Sequence, residues 1–155
     1  MKILIIAVGK LRDGPEAALV ADYLARANAG ARRLGLSFEL AEIDARPPSD
    51  PRKEAQAILK ATPDECVKVL MDERGQDIPS RQWAEKIAAW RDQGRPAAAF
   101  WIGGADGAAQ GLKDQADLKL AFGRATWPHK LARVLLAEQL YRASTILSHS
   151  PYHRD

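Results

Sequence analysis

The chain has 155 residues, 28% of them charged and 46% apolar, with one cysteine, three histidines and a net charge of +3. That size and balance fit one globular domain over residues 1–155 with room for a proper core. They exclude an internal disulfide, a zinc site by ligand spacing and a membrane-length apolar run; with no signal-peptide pattern at the start, the expected compartment is the cytoplasm.

Residues 2–8 (KILIIAV) read as a buried strand, by run length and branched side chains. Gly9-Lys10 ends it, and Asp13-Gly14-Pro15 marks a turn. Residues 16–29 are helical, with Leu19, Tyr23 and Ala27 on one stripe and Gly30 closing the helix. Residues 37–43 alternate, which predicts a strand with one wetter face. Prolines forbid regular structure in 46–51, where Arg46 stands in a solvated loop. Asp50 caps a helix with Pro51 in its first position, running to about Ala61 and exposed for want of apolar residues. Residues 66–71 form the third strand, with Cys66 an inert core thiol, and 72–75 form a turn. Ser80 caps a helix to about Gln93 whose Trp83, Ile87 and Trp90 face the core; Gly94 stops it.

The next stretch is an uncharged apolar run, Ala97 to Ile102, followed at once by Gly103 and Gly104 and then by Gly107 and Gly111. Glycines at the C-terminal end of a buried parallel strand admit a ligand close to the backbone. They also punctuate turns, and Asp106-Gly107 is a hairpin signal; on this stretch alone the two readings are level. Residues 112–116 make a helical turn, 118–122 a fifth strand and 123–129 an irregular loop around Gly123 and Pro128. A long helix over 130–149 is apolar on two faces, which predicts burial on two sides, in a core or against a partner chain. The tail, 151–155, is polar and extended. Strands alternating with helices predict an α/β fold, a mostly parallel sheet flanked by helices.

Chemistry concentrates late in the chain. From Phe122 onward five Lys/Arg face two acids, so the last 34 residues carry the whole net charge, and all three histidines lie there too. One positive surface on a neutral body points to an anionic partner, with nucleic acid in a slight lead. No phosphate loop, dinucleotide fingerprint or nucleophile elbow is present. The glycine turns follow the late strands instead, where backbone groups suit the edge of a nucleoside base. Two other classes fit these residues: an RNA- or nucleotide-binding module without catalysis, and a flavodoxin-like enzyme.

The order AVGK, then IGGADG after the fourth strand, then TWPHKLARVLLAEQLYRA and a closing HSPYHRD, resembles the SPOUT-class RNA methyltransferases over the whole chain. It is most similar to the small bacterial family that methylates N3 of a pseudouridine in 23S ribosomal RNA. The resemblance implies a SPOUT fold with a C-terminal trefoil knot, a homodimer, S-adenosylmethionine as donor and ribosomal RNA, within the ribosome, as partner. It places Met71, Gly103, Gly104 and the loop Phe122, Gly123, Arg124, Ala125, Thr126 and Trp127 around the donor. The helix signature carries His129, Arg133 and Arg142, and the tail carries Tyr152, His153 and Arg154. His129, Arg133 and Arg154 are expected to contact RNA; DNA, membrane and metal are not expected.

Methyl transfer to a weakly acidic ring N–H needs donor and nucleophile in line and a group to take the proton. Arg142, Tyr152 and His153 are the catalytic candidates. Histidine is the residue type suited to take a proton near neutral pH, which makes His153 the preferred base, and gripping phosphate with Arg154 is an equal reading. A plain helix ion pair with Glu138 is the alternative for Arg142, and pinning the tail is the alternative for Tyr152.

Overall fold

The computed structural model describes residues 1–44 and 50–154. Most of the expected 46–51 loop, Arg46 included, and the terminal Asp155 lie outside the described residues. Five strands, β1 (Lys2–Val8), β2 (Ser37–Ile43), β3 (Val67–Asp77), β4 (Ala97–Ile102) and β5 (Leu118–Ala121), form one parallel sheet in the order β2-β1-β4-β3-β5. Helices α1 (Pro15–Ala31), α3 (Ser80–Asp92) and α5 (His129–Leu147) cover one face. Helices α2 (Pro51–Ala61) and α4 (Gln110–Gln115) cover the other.

The two layers explain the apolar runs. Side chains alternate across a strand, so Ile3, Ile5 and Phe100 enter one core and Leu4, Ile6 and Trp101 the other. Every residue of β4 is buried, because β4 lies between β1 and β3 with helices on both faces. Trp101 satisfies its indole N–H by donating to Thr62 Oγ1 at 2.9 Å. Cys66 is buried, which pushes its thiol up and removes it from nucleophilic chemistry.

The structure departs from the sequence expectations at several boundaries. Gly30 lies inside α1; the chain instead leaves the helix through a short 3-10 turn (Arg32–Leu34) ended by Gly35, whose φ of 65° suits glycine. Helix α2 is not exposed throughout: Glu54, Ala55 and Ile58 are buried against the sheet. Its cap is as expected, with Asp50 Oδ1 accepting from the Arg52 N–H at 2.9 Å. Ser80 is not a cap; Pro79 holds that position, and the Ser80 hydroxyl donates to Gln139 of α5.

The largest departure is β3. The expected turn at 72–75 is an interruption within a longer strand: Val69–Met71 pair with Leu118–Leu120, and Gln76-Asp77 resume the pairing at Leu120-Ala121. Four extra residues therefore bulge from β3 opposite a continuous β5. A β-carbon on Gly75 would stand 2.6 Å from backbone atoms of Leu120, so this crossing admits only glycine. The bulge throws Asp72, Glu73 and Arg74 out at the end of the sheet.

Candidate active site

A cleft of about 750 Å³ opens at the C-terminal ends of β3, β4 and β5. That is where open parallel sheets bind ligands, because strands and loops diverge there. Its walls are the β3 bulge from Met71 to Arg74, the glycine turn after β4, and the loop from β5 into α5, ending at His129 and Ala132. Among the donor residues expected from sequence, Met71, Gly103, Gly104, Phe122, Ala125, Thr126 and Trp127 line it together. Gly123 and Arg124 belong to the same loop but not to the cleft lining, and Gly123 has a φ of 78° that lets the loop turn.

The loop is held at three points. Phe122 stacks on the core residue Trp83, with centroids 5.8 Å apart and planes 2° from parallel. Trp127 donates its indole N–H to the Phe122 carbonyl at 3.0 Å, which closes the loop on itself. Thr126 donates its hydroxyl to Glu73 Oε2 at 2.9 Å, which ties the loop to the β3 bulge.

The glycine turn is packed as tightly. A β-carbon on Gly103 would stand 3.2 Å from the backbone of Gly107 and Ala108, so its bareness serves loop closure rather than ligand approach alone. A β-carbon on Gly104 would meet both carboxylate oxygens of Glu54 at 2.8 Å. Asp106-Gly107 does not turn a hairpin; the Gly107 N–H donates to the Gly104 carbonyl in a local turn, and the chain goes on to α4.

The cleft carries carboxylates as well as apolar surface. Asp72 pairs with Lys113 Nζ at 2.8 Å and accepts the Arg74 N–H at 2.9 Å. Burial raises its proton affinity, but the Lys113 hydrogen bond, the Arg74 N–H and both charges outweigh that and hold the carboxyl below its usual range. Glu73 and Asp106 add negative charge to the walls. Glycine backbone, apolar and aromatic side chains and fixed carboxylates suit a ligand that joins a heterocycle to a cationic centre. Among the described residues no three His, Cys, Asp or Glu gather as a metal site, and no helix is long and apolar enough to cross a membrane.

The three catalytic candidates gather elsewhere, on α5 and the tail, and none of them lines the cleft. Arg142 binds Glu138 one turn before it, and that bond raises the guanidinium further above its ordinary value. Tyr152 donates to the same Glu138 oxygen at 3.0 Å, lies 4.6 Å from the Tyr141 ring and takes the Arg142 guanidinium over its face at 4.8 Å. His153 Nδ1 lies 3.5 Å from Arg142. The tail is thus docked on α5 rather than loose, because its one aromatic ring finds both an apolar and a charged partner there.

Arg133 corrects the sequence expectation. It is fully buried, not at an RNA-facing surface. It donates to Glu42 Oε1 at 2.7 Å and to the carbonyls of Val8 and Gly9 at 2.9 Å each. Burial lowers its pKa and Glu42 opposes that. Its role is to close the ends of β1 and β2 under α5. His129, also expected at RNA, lines the cleft instead. Sequence reasoning passed over Asp72, Glu73, Lys113 and Glu54, since charged residues in turns and on a thinly apolar helix read as solvated.

Comparison with known proteins agrees with this architecture. The family model described as "Predicted SPOUT methyltransferase" matches residues 1–153. A protein named ribosomal RNA large subunit methyltransferase H from Paracoccus denitrificans is 51% identical, covering 100% of both chains. Its namesake from Cereibacter sphaeroides (strain ATCC 17023) is 52% identical over 99% of both. A solved Legionella pneumophila structure with bound cofactor SAM is 12% identical, covers 92% of this chain and 66% of that one, and reaches a TM-score of 0.49, too distant to bear on the site. Matched by the family model almost end to end and half identical to full-length relatives, the chain belongs to the SPOUT methyltransferases.

Proposed function

We propose that this enzyme transfers a methyl group from S-adenosylmethionine to N3 of a pseudouridine in 23S ribosomal RNA, acting in the cytoplasm as a homodimer on the assembled ribosome. In this reading residues 1–155 are a single SPOUT domain whose segment after β4 is threaded as a trefoil knot. The observation that carries the proposal is the cleft: glycine backbone and carboxylates at the ends of three parallel strands, in a chain of this family. The names of the half-identical relatives support ribosomal RNA as the substrate class.

The residues present fit the donor. Met71, Phe122 and Trp127 offer apolar surface to the adenosyl group, and Gly103, Gly104, Ala125 and Thr126 offer backbone groups to its edge, with Gly123 and Arg124 completing the loop behind them. Asp72, Glu73 and Asp106 complement its positive charge. When bound, the donor supplies an electrophilic methyl group on a cationic sulfur. The chain's task is to hold it in line with the ring nitrogen, and such positioning is worth up to about 7–11 kcal/mol. Tyr152, His153 and Arg154 face the RNA, with Arg142 and Glu138 fixing Tyr152 in place. In this reading recognition rests on the shape of a preformed RNA surface.

The test is to incubate the protein and labelled donor with undermodified ribosomes and with free ribosomal RNA, then map the label. Label on one pseudouridine of the large-subunit RNA, from ribosomes and not from free RNA, is the expected result. No transfer to either overturns the reading.

A further inference from the structure

Of the three imidazoles only that of His129 lines the cleft. It is the first residue of α5 and is half-buried. Its Nε2 stands 3.8 Å from where a β-carbon on Gly9 would be, so the ring reaches the end of β1. Arg133 follows four residues later on the same helix, and its bonds to Val8 and Gly9 fix that turn against the sheet. Nearby, on α2, the Glu54 side chain is only 8% exposed, and its carboxylate crowds Gly104 at the end of β4. Since β1 and β4 are neighbours, the Glu54 carboxylate and the His129 imidazole stand at adjacent strand ends, close enough for the carboxylate's charge to act on the ring.

We propose that His129 is the general base of the methyl transfer and that Glu54 is the buried carboxylate that balances its charge. The proposal rests on the reading of the cleft as the donor pocket. The pseudouridine N3–H bond breaks and its proton passes to the neutral imidazole. The freed electron pair forms the N3–CH3 bond, and the S–CH3 pair returns to sulfur, leaving a neutral thioether. The imidazolium formed is offset by Glu54, whose charge favours the protonated ring.

The surroundings suit the role. Burial, then Arg133 and Lys130, lower the proton affinity of His129, while Glu54 pulls the other way. The ring is therefore neutral at neutral pH and able to accept a proton. Glu42 is committed to Arg133, and Asp72 to Lys113 and the Arg74 N–H. Glu73 and Asp106 are the further charges on the facing walls.

The experiment uses the full chain, ribosomes at saturation and single-turnover methyl transfer across pH. His129→Asn should lower the saturated rate by about 100-fold or more and remove the acidic limb of the profile, with donor affinity by calorimetry within a few-fold of wild type. Glu54→Gln should move the acidic limb to lower pH. Histidine-selective NMR on the protein alone should show the His129 ring titrating at lower pH in Glu54→Gln, a readout that a merely structural role would not move. A wild-type rate and profile in His129→Asn, or a His129 titration indifferent to Glu54→Gln, overturns the proposal. So does loss of the acidic limb in His153→Ala with its retention in His129→Asn. A wild-type protein that binds no donor would instead sink the reading of the pocket.

Discussion

Tyr152 carries the structural argument at the scale of single residues. Burial comes first and its hydrogen bond to Glu138 second in pushing its hydroxyl up from 10.0 to about 12. A folded-state value above the unfolded one means that the neutral phenol stabilises the docked tail. That contribution is complete below pH 10 and is lost as pH rises from 10 through about 12. In a spectrophotometric titration Tyr152 should ionise near 12, and Glu138→Gln should bring it back toward 10. Ionisation near 10 in the wild type would mean that the tail is undocked. The docking also alters what deletion does. Read from sequence, a polar tail after Pro151 buries little; packed on Tyr141 and Arg142, its loss should cost about 1–2 kcal/mol of stability in denaturant unfolding. The same deletion is expected to abolish methylation of ribosomes while leaving donor affinity unchanged. Gly104 gives a second test at this scale. Gly104→Ala must displace the Glu54 carboxylate, so donor affinity should fall on the order of tenfold, about 1.4 kcal/mol, by calorimetry. Gly104→Ala combined with Glu54→Ala should recover most of it, and a single variant with wild-type affinity would show that the turn relaxes freely.

At the scale of elements, the stability of the site depends on how α5 and the β3 bulge are fastened. Arg133→Met takes the guanidinium from Glu42, which keeps only the Leu11 N–H, and from two strand-end carbonyls, and breaking a buried pair from one side costs about 3–5 kcal/mol. For a domain of this size the melting temperature should drop by roughly 10 °C or more. Lysine should not rescue it, since one ammonium cannot span three acceptors in the guanidinium's fork. Unchanged melting in Arg133→Met would show the clamp to be idle. Most of the framework that this clamp closes was legible in the sequence. Residues 2–8 and 97–102 read as strands with the bounds they have, because buried parallel strands announce themselves by uninterrupted apolar runs, and residues 37–43 do so by their alternation. The extension of β3 was not legible. Asp72-Glu73-Arg74-Gly75 has the composition of a turn, and what carries the strand past this bulge is the resumed pairing of Gln76-Asp77 with β5, forty-odd residues away. Arg133 was misread for a related reason: a cation in an amphipathic helix is ordinarily solvated, and only the fold brings Glu42 and the end of β1 to it. In the site, the glycines and the 122–127 loop were legible as a sequence signature. The separation of the catalytic candidates, clustered on α5 and the tail, from the cleft emerges only in three dimensions.

At the scale of the whole molecule, the separation of that cluster from the cleft bears on assembly. Within one chain the donor pocket and the Tyr152–Arg142–His153 group are distinct places, which favours a working unit larger than one chain. The charge distribution points to the same end of the sequence, since residues 122–155 hold the whole net positive charge, and an anionic partner is drawn to that end. The surface that a second copy would cover is also visible. Leu140 is fully buried in the protein's own core, so a charge there would unfold the chain and say nothing about association. Trp127 and Leu131, by contrast, are 43% and 41% exposed, and Leu135, one turn along α5 from Leu131, is half-buried. Trp127 lines the cleft and Leu131 and Leu135 follow it along α5, so these apolar side chains are the candidates for the surface that a second copy covers. Leu131→Lys should therefore leave the far-ultraviolet circular dichroism intact, since that side chain is outside the core, while sedimentation at micromolar concentration shifts from dimer to monomer. Donor binding should survive in the monomer and methylation of ribosomes should not. A wild-type protein that sediments as a monomer at that concentration would refute the dimer, and a Leu131→Lys variant that remains dimeric would move the interface away from these side chains.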